Sequence, residues 1–163
     1  MSADNQQERL QKIGWIIGFV DGEGCFSVSV FRNKTSKLGW QTFPEFAVTQ
    51  GEKSLQALET LKNHFQCGKI TVNRRKDNHK ENLYRYTVRN INDLRRIIIP
   101  FFKQYRLVTA KKDDFSLFVK IVDLVVKKEH LSLVGLTKIA KLTESMNRRS
   151  QSKFLAESSE TTR

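Results

Sequence analysis

Hydrophobic positions along this chain follow two spacings, and the switch from one to the other marks its elements. Across residues 8–20, Leu10, Ile13, Trp15, Ile16, Ile17, Phe19 and Val20 leave no polar face in the second half. A helix that is apolar all round must be covered on all sides. Gly14 and Gly18, four apart, share one face and let another backbone come close. The helix therefore either meets a second copy of itself, with Gly14, Ile17 and Gly18 at the contact, or serves as the central core helix of a single chain.

Alternation with period two follows. In residues 25–31, Phe26, Val28 and Val30 point one way and Ser27, Ser29 and Phe31 the other. A polar loop, 32–39, leads to a second alternating run at 44–50, so the pair reads as a long hairpin. Leu55, Leu58, Leu61 and Phe65 then predict a helix over 52–65, with Gly68 just past its end. Residues 69–74 and 83–89 form a second hairpin around a polar turn at 75–82. Tyr84, Tyr86 and Val88 face the core, which leaves Arg85, Thr87 and Arg89 on a polar, basic face. A short helix over 92–98 is interrupted at Pro100, since proline removes a donor and clashes with the preceding turn. Further helices are expected over 113–128 and 133–146, and a polar tail, 147–163, lacks the apolar residues to fold. The implied class is α+β, a single domain over 1–146 in which a four-stranded antiparallel sheet carries helices on one face and leaves a polar, basic face open.

Charge sharpens this picture because it is concentrated. The net charge is +12. Residues 1–68 are balanced, whereas 69–112 carry thirteen lysines and arginines against Asp77, Glu81 and Asp93. Such a field favours a polyanion, most naturally nucleic acid, over a merely solvated basic surface. Cys25 and Cys67 stand alone, so neither a zinc ligand set nor a disulfide framework is indicated. His64, His79 and His130 are scattered. No apolar run is long enough to span a bilayer, and the polar N-terminus lacks a signal-peptide core, so the expectation is an intracellular protein in a reducing compartment with no membrane partner.

Asp21 and Glu23 are the chemical anomaly. Both stand at the C-terminal end of the first helix, where the dipole is negative and two acids are unfavourable. A cation must compensate, and a divalent metal is the simplest candidate.

Residues 16–24, Ile-Ile-Gly-Phe-Val-Asp-Gly-Glu-Gly, resemble the signature helix of the LAGLIDADG homing endonucleases. Two further segments carry the likeness. Phe46-Ala-Val-Thr-Gln50 is similar to the family's strand ending in glutamine, and residues 100–112 are similar to the segment that bears its active-site lysine. The resemblance implies an αββαββα fold whose curved sheet straddles DNA like a saddle. One copy of the motif implies a homodimer, with Gly14, Ile17, Gly18 and Asp21 at the interface, and a pseudo-palindromic double-stranded target. It further implies that Glu23 and the Gly22 carbonyl hold magnesium, that manganese substitutes, and that calcium binds without supporting cleavage. Asp21 holds the helix end or the interface. Gln50 positions the water shell, and Lys111 offsets charge on the reacting phosphate, with Lys112 the other candidate.

On this reading the DNA is met by strand residues opposite the aromatic core and by loop residues. These are Ser27, Ser29, Phe31, Asn33, Thr35, Gln41, Glu45, Ala47, Thr71, Asn73, Arg85 and Thr87, with Arg74 and Arg75 near a loop tip holding phosphates. The activity implied is hydrolysis of phosphodiester bonds to a staggered double-strand break. The rival reading is an intron-splicing maturase, binding intron RNA, or a non-cleaving DNA-binding module on the same fold. Intron-encoded members of the family act in chloroplasts or mitochondria, so an organellar location is expected.

Overall fold

The computed structural model describes residues 3–74, 81–146 and 152–160. The elements run α1 (Ala3–Glu23), β1 (Gly24–Arg32), β2 (Trp40–Gly51), a 3-10 turn (Glu52–Ser54), α2 (Leu55–Phe65), β3 (Lys69–Asn73) and β4 (Leu83–Val88), then α3 (Ile91–Asp93), a π-helical stretch (Leu94–Ile98), α4 (Ile99–Gln104), α5 (Lys111–Val126), a 3-10 turn (Glu129–Leu131), α6 (Leu133–Glu144) and α7 (Lys153–Glu160). The class is α+β, with a four-stranded antiparallel sheet in the order β1-β2-β4-β3. Two compact units are built from separate stretches of sequence. One comprises residues 1–25 and 46–111, the other 26–45 and 112–163, so the stretch 1–146 is divided between them.

In the first unit, antiparallel register sets Phe46 opposite Val88 and Val48 opposite Tyr86. All four are buried on one sheet face. There Phe46 meets Phe65 of α2 at 6.2 Å and Phe102 of α4 at 5.8 Å between ring centroids. Leu58, Leu61 and Phe65 supply the buried stripe of α2. The α2 helix ends on Gln66 in the left-handed conformation. Gly68 follows with φ +74°, where a Cβ would stand 2.6 Å from the Thr87 carbonyl oxygen. On α1, Ile13, Ile16 and Val20 form the buried stripe, while Leu10, Gly14, Trp15 and Gly18 remain exposed.

Pro100 does not break the helix as expected. It lies just after the start of α4 within a continuous helical run, and the wider π stretch before it accommodates the ring so that the run continues.

In the second unit, Phe26 packs edge-on to Phe115 at 5.0 Å and meets Phe118 at 5.4 Å. The tail corrects another expectation, because residues 153–160 form α7. Two apolar side chains suffice there. Phe154, 4% exposed, sits edge-to-face on Trp40 at 5.3 Å with Leu136 and Ala140 around it, and Leu155 packs alongside. Arg32 lies 4.7 Å over the Trp40 ring and pairs with Glu157, so the end of β1 is tied both to the ring that α7 covers and to α7 itself.

Candidate active site

The site is built in the first unit, at the C-terminal end of α1. Like any helix end, it leaves its last four carbonyls without intrahelical donors. Residues 109–111, nearly ninety positions away in sequence, supply the partners. The Lys111 ammonium donates to the Val20 carbonyl at 2.9 Å and to the Gly22 carbonyl at 3.1 Å. This is the compensating cation that the two acids require, and it satisfies the negative end of the helix dipole directly.

Asp21 is turned into its own chain and is 9% exposed. Its carboxylate accepts from the Val108 amide at 2.8 Å, from the Thr109 amide at 3.1 and 3.2 Å, and from the Thr109 hydroxyl at 2.6 Å. Burial raises its pKa. The Thr109 hydroxyl, the two amides and the nearby Lys111 charge outweigh that effect and leave the group below the usual carboxylate value. The Thr109 hydroxyl oxygen also accepts from the Lys111 amide at 3.3 Å, so Asp21, Thr109 and Lys111 form one connected arrangement at the start of α5.

Glu23 is exposed, and the Gln50 amide nitrogen donates to its Oε2 at 3.2 Å. Glu23, Gln50 and Lys111 thus converge at one helix end. Lys112 is exposed, with its carbonyl accepting from Ser116. Among the described residues there is no group of three or more histidine, cysteine or acidic side chains able to enclose a metal. What the helix end offers is a carboxylate and a main-chain carbonyl. These are hard oxygen donors in an open site, which suits a cation that keeps waters and takes phosphate oxygens.

The remaining sequence-predicted residues divide by exposure. In the first unit Thr71, Asn73, Arg74 and Arg85 are exposed. In the second, Ser29, Phe31 and Thr35 are exposed, and Ser27, Asn33 and Gln41 are partly so. Asn33 is engaged locally, accepting from the Thr35 hydroxyl and donating to Gln41. Three assignments to the DNA-facing set are corrected: Glu45, Ala47 and Thr87 are buried, at 6%, 1% and 3% exposure. Ala47 and Thr87 are short side chains on central strands, paired with each other. Lys69 lies across from Thr87 on its other side, so both sit within the paired interior of the sheet. Arg75 lies outside the described residues. Gly14 and Gly18 are exposed, Ile17 is half-buried, and a Cβ on either glycine would meet nothing within 4 Å. Sequence reasoning missed Thr109. Its only local signal is a threonine standing just before an acid-rich helix start, as capping residues do.

An α+β protein with a carboxylate, an amide and an ammonium gathered at one helix end is the class these observations define. Residues 16–122 match the LAGLIDADG endonuclease family, and the chain belongs to it. It is 37% identical over 131 residues to the probable intron-encoded endonuclease 3 of Neurospora crassa, covering 80% of this chain and 24% of that protein. The chain spans about a quarter of the length of the curated relatives it matches first. Among solved structures, the homing endonuclease I-TnaI superposes with a TM-score of 0.78 at 36% identity, over 93% of this chain and 97% of that one. I-SmaMI bound to uncleaved DNA target with calcium ions gives 0.77 at 38% identity, over 88% of this chain and 47% of that one.

Proposed function

We propose that this chain is a site-specific homing endonuclease that works as a homodimer. It hydrolyses phosphodiester bonds of a long, pseudo-palindromic double-stranded DNA to leave a staggered double-strand break. The observation that carries the reading is the meeting of Glu23, Gln50 and Lys111 at the end of α1. Relatives named as endonucleases and the DNA-bound I-SmaMI structure support it.

The bare face of α1 supports self-association. Leu10 and Trp15 are 59% and 42% exposed, and Gly14 and Gly18 leave room for a second backbone. A two-fold axis there brings two copies of Glu23 together and makes the recognised sequence pseudo-palindromic. The exposed set Ser29, Phe31, Thr71, Asn73 and Arg85 meets base edges, and Arg74 meets phosphate.

Magnesium is the proposed cofactor, held by the Glu23 carboxylate and the Gly22 carbonyl and completed by waters and phosphate oxygens; when bound it supplies Lewis-acid stabilisation and a water of lowered pKa. Manganese is expected to substitute, and calcium to bind without turnover. The chain's own residues do the rest. Gln50 holds the Glu23 carboxylate in one orientation and reaches the water shell. Lys111, anchored through Thr109 and Asp21, offsets negative charge developing on the phosphate. Intron-encoded relatives support an organellar site of action.

The test is incubation of the protein with a library of intron-insertion DNA in magnesium and then in calcium. Cleavage in magnesium that disappears in Glu23→Gln while binding persists supports the proposal. Sequence-specific binding to DNA or to intron RNA, without cleavage in either metal, sinks it in favour of the non-cleaving module or the maturase.

A further inference from the structure

The helix end assigned to a metal already holds a cation. Of the four carbonyls that α1 leaves open, those of Val20 and Gly22 accept from the Lys111 ammonium at 2.9 and 3.1 Å, and that of Asp21 lies 3.5 Å from the Thr109 hydroxyl. The backbone beneath Lys111 is fixed, because Thr109 is tied to the buried Asp21 carboxylate and accepts from the Lys111 amide. What remains movable is the four-carbon side chain. The Gly22 carbonyl is also the proposed metal ligand, so one oxygen is claimed by two cations.

We propose that Lys111 is the resident counter-charge of the metal-free site and competes with the divalent cation for the Gly22 carbonyl. The proposal rests on the reading above that Gly22 and Glu23 take the metal. A dication about 2.1 Å from that oxygen and an ammonium still bonded to it would stand within ~5 Å of each other, close enough for strong repulsion. Loading therefore displaces the ammonium from Gly22. The displaced group stays tethered through Thr109 at this helix end, so the exchange would leave a positive charge within reach of a phosphate that the metal binds. Before loading, the same group keeps Asp21 and Glu23 tolerable at the negative end of a helix. Lys111 is thus a positioning residue for the empty helix end as well as a participant in the loaded one.

The experiment uses the whole chain, stripped with chelator and titrated with calcium alone by equilibrium dialysis, together with thermal unfolding in chelator and in calcium. Wild type is compared with Lys111→Met, with Lys111→Gln, which keeps a neutral donor for the carbonyl, and with Glu23→Gln. Competition predicts that both lysine variants bind calcium about tenfold more tightly than wild type. It also predicts that their unfolding midpoints, lowered in chelator, rise further with calcium than the wild-type midpoint does. Equal or weaker calcium binding by the lysine variants, with binding still dependent on Glu23, overturns the competition and leaves the metal assignment standing. Calcium binding that is absent, or unchanged by Glu23→Gln in every background, overturns both.

Discussion

Replacing Asp21 with alanine tests the claim that this acid holds the 108–109 segment of its own chain. The substitution removes a carboxylate that accepts from the Val108 amide at 2.8 Å, the Thr109 hydroxyl at 2.6 Å and the Thr109 amide at 3.1 Å. Hydrogen bonds to a charged group contribute roughly 1.5–3 kcal/mol each when they are independent. These share one carboxylate and are not independent, and Val108 and Thr109 are exposed enough for water to replace the lost partner, so together they contribute about 3.5 kcal/mol, below the independent sum. Relief of the unfavourable interaction with the helix dipole returns about 0.5 kcal/mol. The expected loss is about 3 kcal/mol, or roughly 6–12 °C in the unfolding midpoint of a chain this size. Urea and thermal unfolding at neutral pH measure it, with Val108→Ala as the control. That side chain is 80% exposed and its amide makes the bond, so the control stays within about 0.5 kcal/mol of wild type. The pH dependence gives a second reading. Because the folded pKa of Asp21 lies below its unfolded value, the carboxylate's contribution is complete above the unfolded pKa. It is lost as pH falls through the folded one. The gap between wild type and variant should persist at mildly acidic pH and close only below the ordinary carboxylate range. A loss under about 1 kcal/mol at neutral pH, or a gap that widens on acidification, refutes the reasoning.

Phe154→Ala should lower stability by about 3 kcal/mol and shift Trp40 emission to the red, since it opens the cluster that docks α7; unchanged emission would mean α7 does not cover Trp40 in solution. Gly68→Ala should cost about 2 kcal/mol or more in urea unfolding, because φ is +74° and the added Cβ meets the Thr87 carbonyl at 2.6 Å and Val88 Cγ2 at 2.8 Å. Gly18→Leu should leave the protomer as stable as wild type or up to about 1 kcal/mol more stable, since an added Cβ meets nothing within 4 Å and glycine is the poorer helix former. If the protein self-associates through α1 as proposed, the same variant should sediment as a monomer where wild type sediments as a dimer, and a variant that stays dimeric places the self-association surface elsewhere.

Local pattern was enough for most elements. Phe26, Phe46, Val48, Tyr86 and Val88 lie in the core because alternation sorts side chains between two faces without reference to anything distant. Leu58, Leu61 and Phe65 do the same on α2 through helical spacing. The nine residues ending in Asp21, Gly22, Glu23 and Gly24 mark the chemistry by themselves, because two acids at a helix C-terminus are anomalous on electrostatic grounds alone.

Other features depended on partners that pattern cannot name. Pro100 reads as a helix breaker in isolation, yet a π stretch beside it lets the helix continue. Residues 153–160 look too polar to fold, yet Phe154 finds Trp40. Ala47 and Thr87 have the parity of an open face, yet both are buried where they pair across central strands. What the amino-acid order determined by itself was the set of elements, the side of each that is apolar, and the presence of acids that demand a cation. Only the tertiary structure decided which cation answers them in the protomer, because Lys111 reaches Gly22 across 89 positions, and Asp21 meets Thr109 across 88. Spacings of two to four residues carry no information over such separations, and it is the closure of the chain that brings those charges together.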